Sequence, residues 1–419
     1  MRIALPYGST HLPLDVDANS EVLEASDLIS AGDEDEIVLK AMAQPITSPT
    51  LYEMALGKKN AVLLISDHTR PVPSKRILPH MLEQMRRASP DIDITLLVAT
   101  GCHRGTSVQE LRAKLGEDIV RSERILIHDC DQSPLVDLGA LPSGARLVVN
   151  KFAADAELLI AEGFIEPHFF AGFSGGRKSV LPGICARQTV LGNHCAAFNA
   201  DENARGGILD NNPIHRDMQA AVKMCGLDYI VNVIIDAKKR VVSAFCGHPI
   251  KAHEAGCAYL SARCRVQAKQ KGDIVITTNG GAPLDQNIYQ AVKGLSTAEA
   301  AAAEKAILII AAACEDGAGG EHFYKALRDC QSPASLYEAV AKIPMEQTQI
   351  DQWQYQILAR ILMKHRVFFV TDPSLAPIVA DMKMEYFKDI KSALAKAHQI
   401  QGEDAHVLII PDGVSVIAG

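Results

Sequence analysis

One lysine and two histidines surround a glycine-rich turn in residues 162–194, EGFIEPHFFAGFSGGRKSVLPGICARQTVLGNH. His168 stands ten residues before Lys178, and His194 stands sixteen after it. Pro167, Pro182 and the glycines argue against one continuous helix, so the three side chains meet only if the chain folds back on itself. An imidazole offers acid/base or metal-ligand chemistry near neutral pH, and a lysine amine is a nucleophile once it has lost its proton. Ser174, Gly175 and Gly176 leave backbone N–H groups uncovered, as a loop must if it is to cradle a phosphate or another anion. On spacing alone, a plain glycine-rich turn with a surface lysine and two structural histidines is the safer description.

Other residues of the right types lie outside this stretch. His103, in ATGCHRG, follows an apolar strand directly, where a side chain is exposed at a crevice. Arg70, in DHTRP, sits on a loop stiffened by prolines, and its guanidinium suits a carboxylate; the plainer alternative is a surface salt bridge. In NGGAPLDQNIYQAVKGL, Gln290 and Lys293 share one face of a short helix with Tyr289 adjacent. The only tryptophan, Trp353, fits a packing role. No HxH, HExxH or CxxC occurs, so most ligands of any bound metal must come from outside the protein. His248 and His253 are expected at the surface.

These candidates need elements to position them. With 419 residues, 48% of them hydrophobic, the chain can bury the cores of two or three domains. Its 42 basic and 50 acidic residues form no basic stripe, which argues against a nucleic-acid partner. Ten cysteines without a dense pairing pattern suggest reduced thiols of a cytoplasmic protein. The N-terminus shows no secretory signal, and the longest apolar run, 306–313, is too short to span a bilayer.

The pattern predicts an α/β fold with mostly parallel sheets. AVLLIS reads as a buried strand, KRILPHMLEQMRRA as a helix with an apolar face, and DITLLVATG as the next strand, a βαβ unit. Ser107 and Glu110 form a capping box that opens another helix. RILIHD, ARLVVNK and AELLIAEGF continue the alternation. The loops bearing Asp67, Arg70 and His103 then share the carboxyl edge of the sheet, where open α/β proteins place ligands. The charged stretch AKQKG marks a boundary, giving an N-terminal α/β domain at 1–268 and a C-terminal α/β domain at 269–402. Residues 403–419 hold a terminal strand, HVLIIPDG, expected as one able to return to the N-terminal domain. The active site is expected in the cleft between the domains.

SDHTRPVPS, LLVATGCHR, GFIEPHFFAGFSGGRKSVLPGI and NGGAPLDQNIYQAVKG together resemble the nickel-pincer lactate racemases, with the spacing between motifs matched nearly end to end. The resemblance implies a racemase of D- and L-2-hydroxy acids, lactate foremost, working by hydride transfer. It implies a nickel-pincer nucleotide, a pyridinium-3-thioamide-5-thiocarboxylate mononucleotide holding nickel through sulfur, carbon and sulfur. Lys178 would carry it covalently and His194 would add the fourth nickel ligand, an arrangement that suits Ni(II). His103 and His168 would be the two acid/bases. Arg70 and Lys293 would hold the substrate carboxylate, Tyr289 and Gln290 would line the pocket, Asp67 would orient cofactor or substrate, and Trp353 would wall the site. The SGG turn is assigned to the cofactor phosphate on backbone geometry alone. Separate cofactor-synthesis enzymes would be needed for maturation.

Cys102 and Ala282 replace bulkier residues of the family pattern, which would widen the cleft. A racemase or epimerase of a longer aliphatic, aromatic or sugar-derived 2-hydroxy acid therefore stays open, and so, from the Arg70 and SGG cradles, does a cofactor-free protein that binds an anionic metabolite.

Overall fold

A computed structural model describes residues 2–17, 20–26, 28–30 and 32–419. Two six-stranded sheets organise it. Strand Asn60–Ser66 buries Ala61 through Ile65 without a break, the mark of a strand covered on both faces. Helix Ser74–Ala88 follows and buries Ile77, Leu78, Met81, Leu82 and Met85 along one face. Ser107 and Glu110 form the expected capping box at helix Val108–Leu115.

In the first sheet the order is Val241–Gly247, Tyr229–Ile235, Leu159–Phe164, Asn60–Ser66, Asp93–Ala99, Arg124–Ile127. Every neighbour pair is parallel except the hairpin of Tyr229–Ile235 with Val241–Gly247. The chain moves outward from Asn60–Ser66 through two strands, then resumes on the other side at Leu159–Phe164. That reversal opens a crevice at the carboxyl ends of these two strands. The loops leaving them carry Asp67, Arg70, Glu166 and His168.

The second sheet repeats the device. Its order is Glu385–Phe387, Arg366–Val370, Ala302–Ala311, Gly272–Thr278, Val407–Ile410, Ser20–Val22, all parallel. Here the reversal falls between Gly272–Thr278 and Val407–Ile410. Helix Ile288–Ala301, with Gln290 and Lys293 in its first two turns, follows the first of these strands. Helix Gln352–Lys364 bridges to the first half, where Gln356 Nε2 donates to Ala196 O at 2.8 Å. Among the described residues, no helix is long and apolar enough to cross a membrane.

Three expectations need correction. ARLVVNK does not join the first sheet: Arg146–Asn150 pairs with Leu135–Ala140, and its other side takes the segment after Lys178, through Asn150 N to Ile184 O and Ala186 N to Val148 O, both 2.8 Å. Both its edges are thereby occupied. The opening residues do not belong with the N-terminal domain drawn at 1–268. Hairpin Arg2–Tyr7/Thr10–Asp15 buries Leu5 and Leu14 against Ile274, Ile276 and Ile309, and Ser20–Val22 edges the second sheet. Nor does the terminal strand return as expected, because Val407–Ile410 lies inside the second sheet. Only Ile417–Ala418 goes back, pairing with Arg265–Val266, with Ile417 packed beside Ile165 and Phe173.

Candidate active site

The turn at 174–178 sends two adjacent cations in different directions. Arg177 points into the protein and is 2% exposed. Its Nε donates to His215 Nδ1 at 2.8 Å, its Nη2 to Ala171 O at 2.6 Å, and its Nη1 lies 2.9 Å from His253 Nε2. The same Nη1 reaches the carbonyls of Ser174 and Gly175 at 3.4 Å. Burial lowers the Arg177 pKa to about 10, and both histidines are held well below their usual range by burial and by this charge. His253, expected at the surface, is 1% exposed because it forms the floor of the turn.

The glycines serve this packing. Gly175 and Gly176 have φ of +75° and +50°. A Cβ on Gly175 would stand 2.7 Å from Asn232 Oδ1 and Phe164 O, and one on Gly176 would stand 2.7 Å from the His253 ring. Two amides of the turn are engaged inward as well: Gly176 N donates to Asn232 Oδ1 at 2.7 Å and Ser174 N to Glu166 O at 2.9 Å. Of the three amides expected to cradle a phosphate at Ser174, Gly175 and Gly176, these two are already taken, and the turn orients the lysine.

Lys178 emerges half-buried on the cleft side, its Nζ 3.0 Å from His168 Nε2. The other ring nitrogen, Nδ1, accepts from Ala171 N at 3.3 Å. Phe169 stacks on the ring and Phe170 meets it edge-on. Burial, then the charge of Arg70, pushes the lysine far below its ordinary value; burial, then the charge of Lys178, does the same to His168. Lys293 is lowered to about 8 by burial and Arg70, with Glu166 opposing. Glu166 is raised by burial against the pull of Arg70, Lys293 and Lys178. Arg70, His168, Lys178 and Lys293 thus converge as expected, with Glu166 as the carboxylate among them. Sequence reasoning missed Glu166; its place two residues before His168 in EPH was the available signal. Arg177 was missed because nothing in RK tells which cation turns inward.

His103 sits at the mouth, with Nδ1 2.6 Å from Asp67 Oδ2. Asp67 is 2% exposed, and its Oδ1 accepts from Thr69 N and Oγ1. Burial opposes its charge, but His103 and Thr69 outweigh burial and hold it at about 2. Asp67 was expected to orient cofactor or substrate; both its oxygens are instead engaged with His103 and Thr69, so what it orients is the imidazole. Cys102 turns toward Cys130, and burial pushes its thiol up to about 12. Ala282 is exposed, its N–H donating to Gly8 O at 2.8 Å.

His194 caps helix Arg187–Asn193 and is 5% exposed. Its Nδ1 lies 2.9 Å from Val190 O, and a carbonyl only accepts, so the ring hydrogen is on Nδ1 and Nε2 keeps its lone pair. Phe170 and Trp353 meet the ring edge-on at 5.2 and 5.1 Å. Burial and Lys178 lower it to about 3, so it stays neutral. Among the described residues, the one trio of His, Cys, Asp or Glu donors within 4.8 Å of one another is Asp129, Cys130 and Asp131, which does not include His194.

From the second half, Asn287 Oδ1 accepts from Gln290 N at 3.0 Å and so starts the helix that carries Tyr289, Gln290 and Lys293. Tyr289 meets Phe323 edge-on, and its carbonyl accepts from Gln354 Nε2, one residue beyond Trp353. A cavity of about 570 Å³ lined by Arg146, Arg187 and Met345 shares no residue with this cluster.

Residues 7–207 match the lactate racemase N-terminal domain and residues 267–418 the lactate racemase C-terminal domain. The lactate racemase of Thermoanaerobacterium thermosaccharolyticum is 48% identical over 422 residues, covering 99% of this chain and 98% of that one. The lactate racemase of Lactiplantibacillus plantarum is 45% identical over 420 residues, covering 99% of each. The solved lactate racemase apoprotein from T. thermosaccharolyticum superposes with a TM-score of 0.97 at 47% identity, over all of both chains. A Thermotoga maritima protein shares the fold with a TM-score of 0.66 at 19% identity, over 93% of this chain and 99% of that one.

Proposed function

This chain belongs to the lactate racemase family, and from that premise we propose how its cleft interconverts D- and L-lactate. It is an isomerase of a nickel-dependent family. The cofactor we assign is the nickel-pincer nucleotide, joined covalently to Lys178. Two features of this chain fit it. Lys178 presents its amine beside His168, away from the surface. His194 offers a single bare Nε2 with its Nδ1–H anchored on Val190 O, the second-shell pattern of a metal-ligating imidazole. One protein donor is what a group bringing three donors of its own requires.

When bound, the group supplies the acceptor that takes the C2 hydrogen of lactate as hydride and gives it back. The protein's residues do the rest. Arg70 and Lys293 hold the substrate carboxylate by charge-assisted hydrogen bonds. Asp67 fixes the hydrogen of His103 on Nδ1, which leaves Nε2 bare to take the hydroxyl proton as the C2 hydrogen departs. His168, with Nδ1 accepting from Ala171 N, carries its hydrogen on Nε2 and returns a proton to the oxygen once the keto acid has turned its other face. The reverse reaction exchanges the two roles. Tyr289 and Gln290 line the pocket, and Trp353 closes it beside His194. The single observation that carries this reading is the 2.6 Å pairing of His103 with buried Asp67, which makes a directed base of a cleft histidine.

Protein matured together with the cofactor-synthesis enzymes tests the reading. Intact mass is expected to show an adduct with nickel, lost in Lys178→Ala; His194→Ala keeps the adduct and loses nickel. Chiral analysis of single enantiomers is expected to show lactate racemised faster than longer or aromatic 2-hydroxy acids. An unchanged adduct in Lys178→Ala refutes the tether.

A further inference from the structure

Before any cofactor is attached, the hydrogen between Lys178 and His168 has only one consistent home. Lys178 Nζ lies 3.0 Å from His168 Nε2, and Ala171 N–H points at His168 Nδ1 from 3.3 Å. A backbone N–H can only donate, so Nδ1 must hold a lone pair. A neutral imidazole with its lone pair on Nδ1 carries hydrogen on Nε2, and that N–H needs an acceptor. An ammonium group has no lone pair to give, whereas a free amine has one. An imidazolium would set a second hydrogen against Ala171 N–H. A neutral ring donating to a neutral amine satisfies all three groups.

We propose that His168 has a task that precedes substrate chemistry: it holds Lys178 as a free amine, ready to act as an acyl acceptor at neutral pH. The proposal rests on the tether assigned above. In that step the lysine nitrogen bonds to the carbon of a thiocarboxylic acid group, and the hydroxyl leaves as water with one amine hydrogen, giving a thioamide. The product nitrogen donates but no longer accepts, so attachment deprives Nε2–H of its acceptor and releases it to the substrate oxygen. Loading the cofactor and arming the second acid/base are then one event.

The charges around the pair act in the same sense. Arg70, Arg177 and Lys293 face Lys178 and disfavour its ammonium form, and Glu166 favours it. His168 faces Arg70, Lys293 and His194 as well as the lysine. The His168 N–H acts in addition to these charges, and a variant separates the two.

The test uses the full-length protein made without the cofactor-synthesis enzymes. Limiting acetic anhydride is applied between about pH 6 and 10, and acetylation of each lysine is read by peptide mass spectrometry. Each lysine's midpoint is independent of its accessibility, and the surface lysines serve as internal standards. Lys178 is expected to reach half-maximal reaction at a clearly lower pH than the surface lysines. His168→Phe, which keeps the packing on Phe169 and Phe170 but removes the N–H, is expected to move the midpoint up toward theirs. His168→Gln, which can still donate, is expected to restore it. A wild-type midpoint equal to that of the surface lysines overturns the proposal, with no variant needed. An unchanged midpoint in His168→Phe overturns the part given to His168. A low midpoint in a protein that forms no adduct after maturation sinks the tether and with it the acyl-acceptor role, leaving only the free amine; an adduct with an ordinary midpoint keeps the tether and overturns the free amine.

Discussion

Replacing Asp67 by Asn separates orientation of the base from everything else in the cleft. The carboxylate is held at about 2 instead of 3.8, a difference worth roughly 2.4 kcal/mol at 1.36 kcal/mol per unit. The His103 side chain is 48% exposed, so solvent screens the pair, and about 1 kcal/mol of folding stability is the realistic share. Because the folded pKa is depressed, this share is present above about pH 4 and is lost as pH falls toward 2. The melting-temperature gap between wild type and Asp67→Asn should therefore close over that window. The catalytic cost is larger. An Asn amide can turn its NH2 toward Nδ1 and drive the ring hydrogen to Nε2, where the base then has no lone pair. A directed acid/base contributes roughly 10²- to 10⁴-fold, and a loss of about 10²-fold or more in kcat is expected. The equilibrium constant of racemisation is one by symmetry, so kcat/KM must fall equally from D- and from L-lactate. Adduct and nickel should stay at wild-type levels, since Asp67 touches neither Lys178 nor His194. Initial rates from each enantiomer, normalised to nickel, measure the effect. A kcat within about threefold of wild type, smaller than the least acid/base contribution, would refute the role assigned to the dyad.

Three further outcomes follow from the packing. Arg177→Met should cost about 3 kcal/mol in chemical denaturation, because it strips donors from Ala171 O, Ser174 O and His215 at once; a cost below about 1 kcal/mol would mean the turn stands without it. Glu299→Gln breaks a pair with Arg360 at 2.6 Å whose side chains are 9% and 8% exposed, leaving a buried guanidinium uncompensated at about 3 kcal/mol. Burial opposes the Glu299 charge but Arg360 and Lys364 outweigh it and lower its pKa, so the penalty relative to wild type should shrink as pH falls below about 4.5; a pH-independent penalty counts against the ion pair. Gly319→Ala puts a Cβ 2.6 Å from Tyr289 Cβ at a φ of +90°, which should destabilise by at least about 1 kcal/mol and raise KM for lactate more than it lowers kcat. An unchanged KM would show that Tyr289 does not shape the pocket.

Much of the scaffold was legible in the sequence, because burial on both faces leaves a direct trace. Unbroken apolar runs such as Ala61–Ile65 can only be covered strands, and Ser107 with Glu110 satisfies helix N–H groups locally, with no help from distant residues. The residue types that could do chemistry were legible too, and so was their gathering at strand carboxyl ends. Tertiary structure decided the rest. Arg146–Asn150 reads like its neighbours, yet its partners lie in a hairpin and in the segment past Lys178. Ser20–Val22 joins a sheet whose nearest strand is Val407–Ile410, a pairing that no local pattern encodes. The Ser174–Gly176 turn advertises free amides in sequence and engages two of them, Gly176 N with Asn232 and Ser174 N with Glu166, in space. Most of all, the hydrogen on each imidazole is set by the group opposite its other nitrogen: Asp67 for His103, Ala171 N–H for His168, Val190 O for His194. Residue type says that a histidine can be base, acid or ligand; only the partner across 2.6 to 3.3 Å says which, because a ring with one lone pair and one hydrogen must match both its neighbours at once.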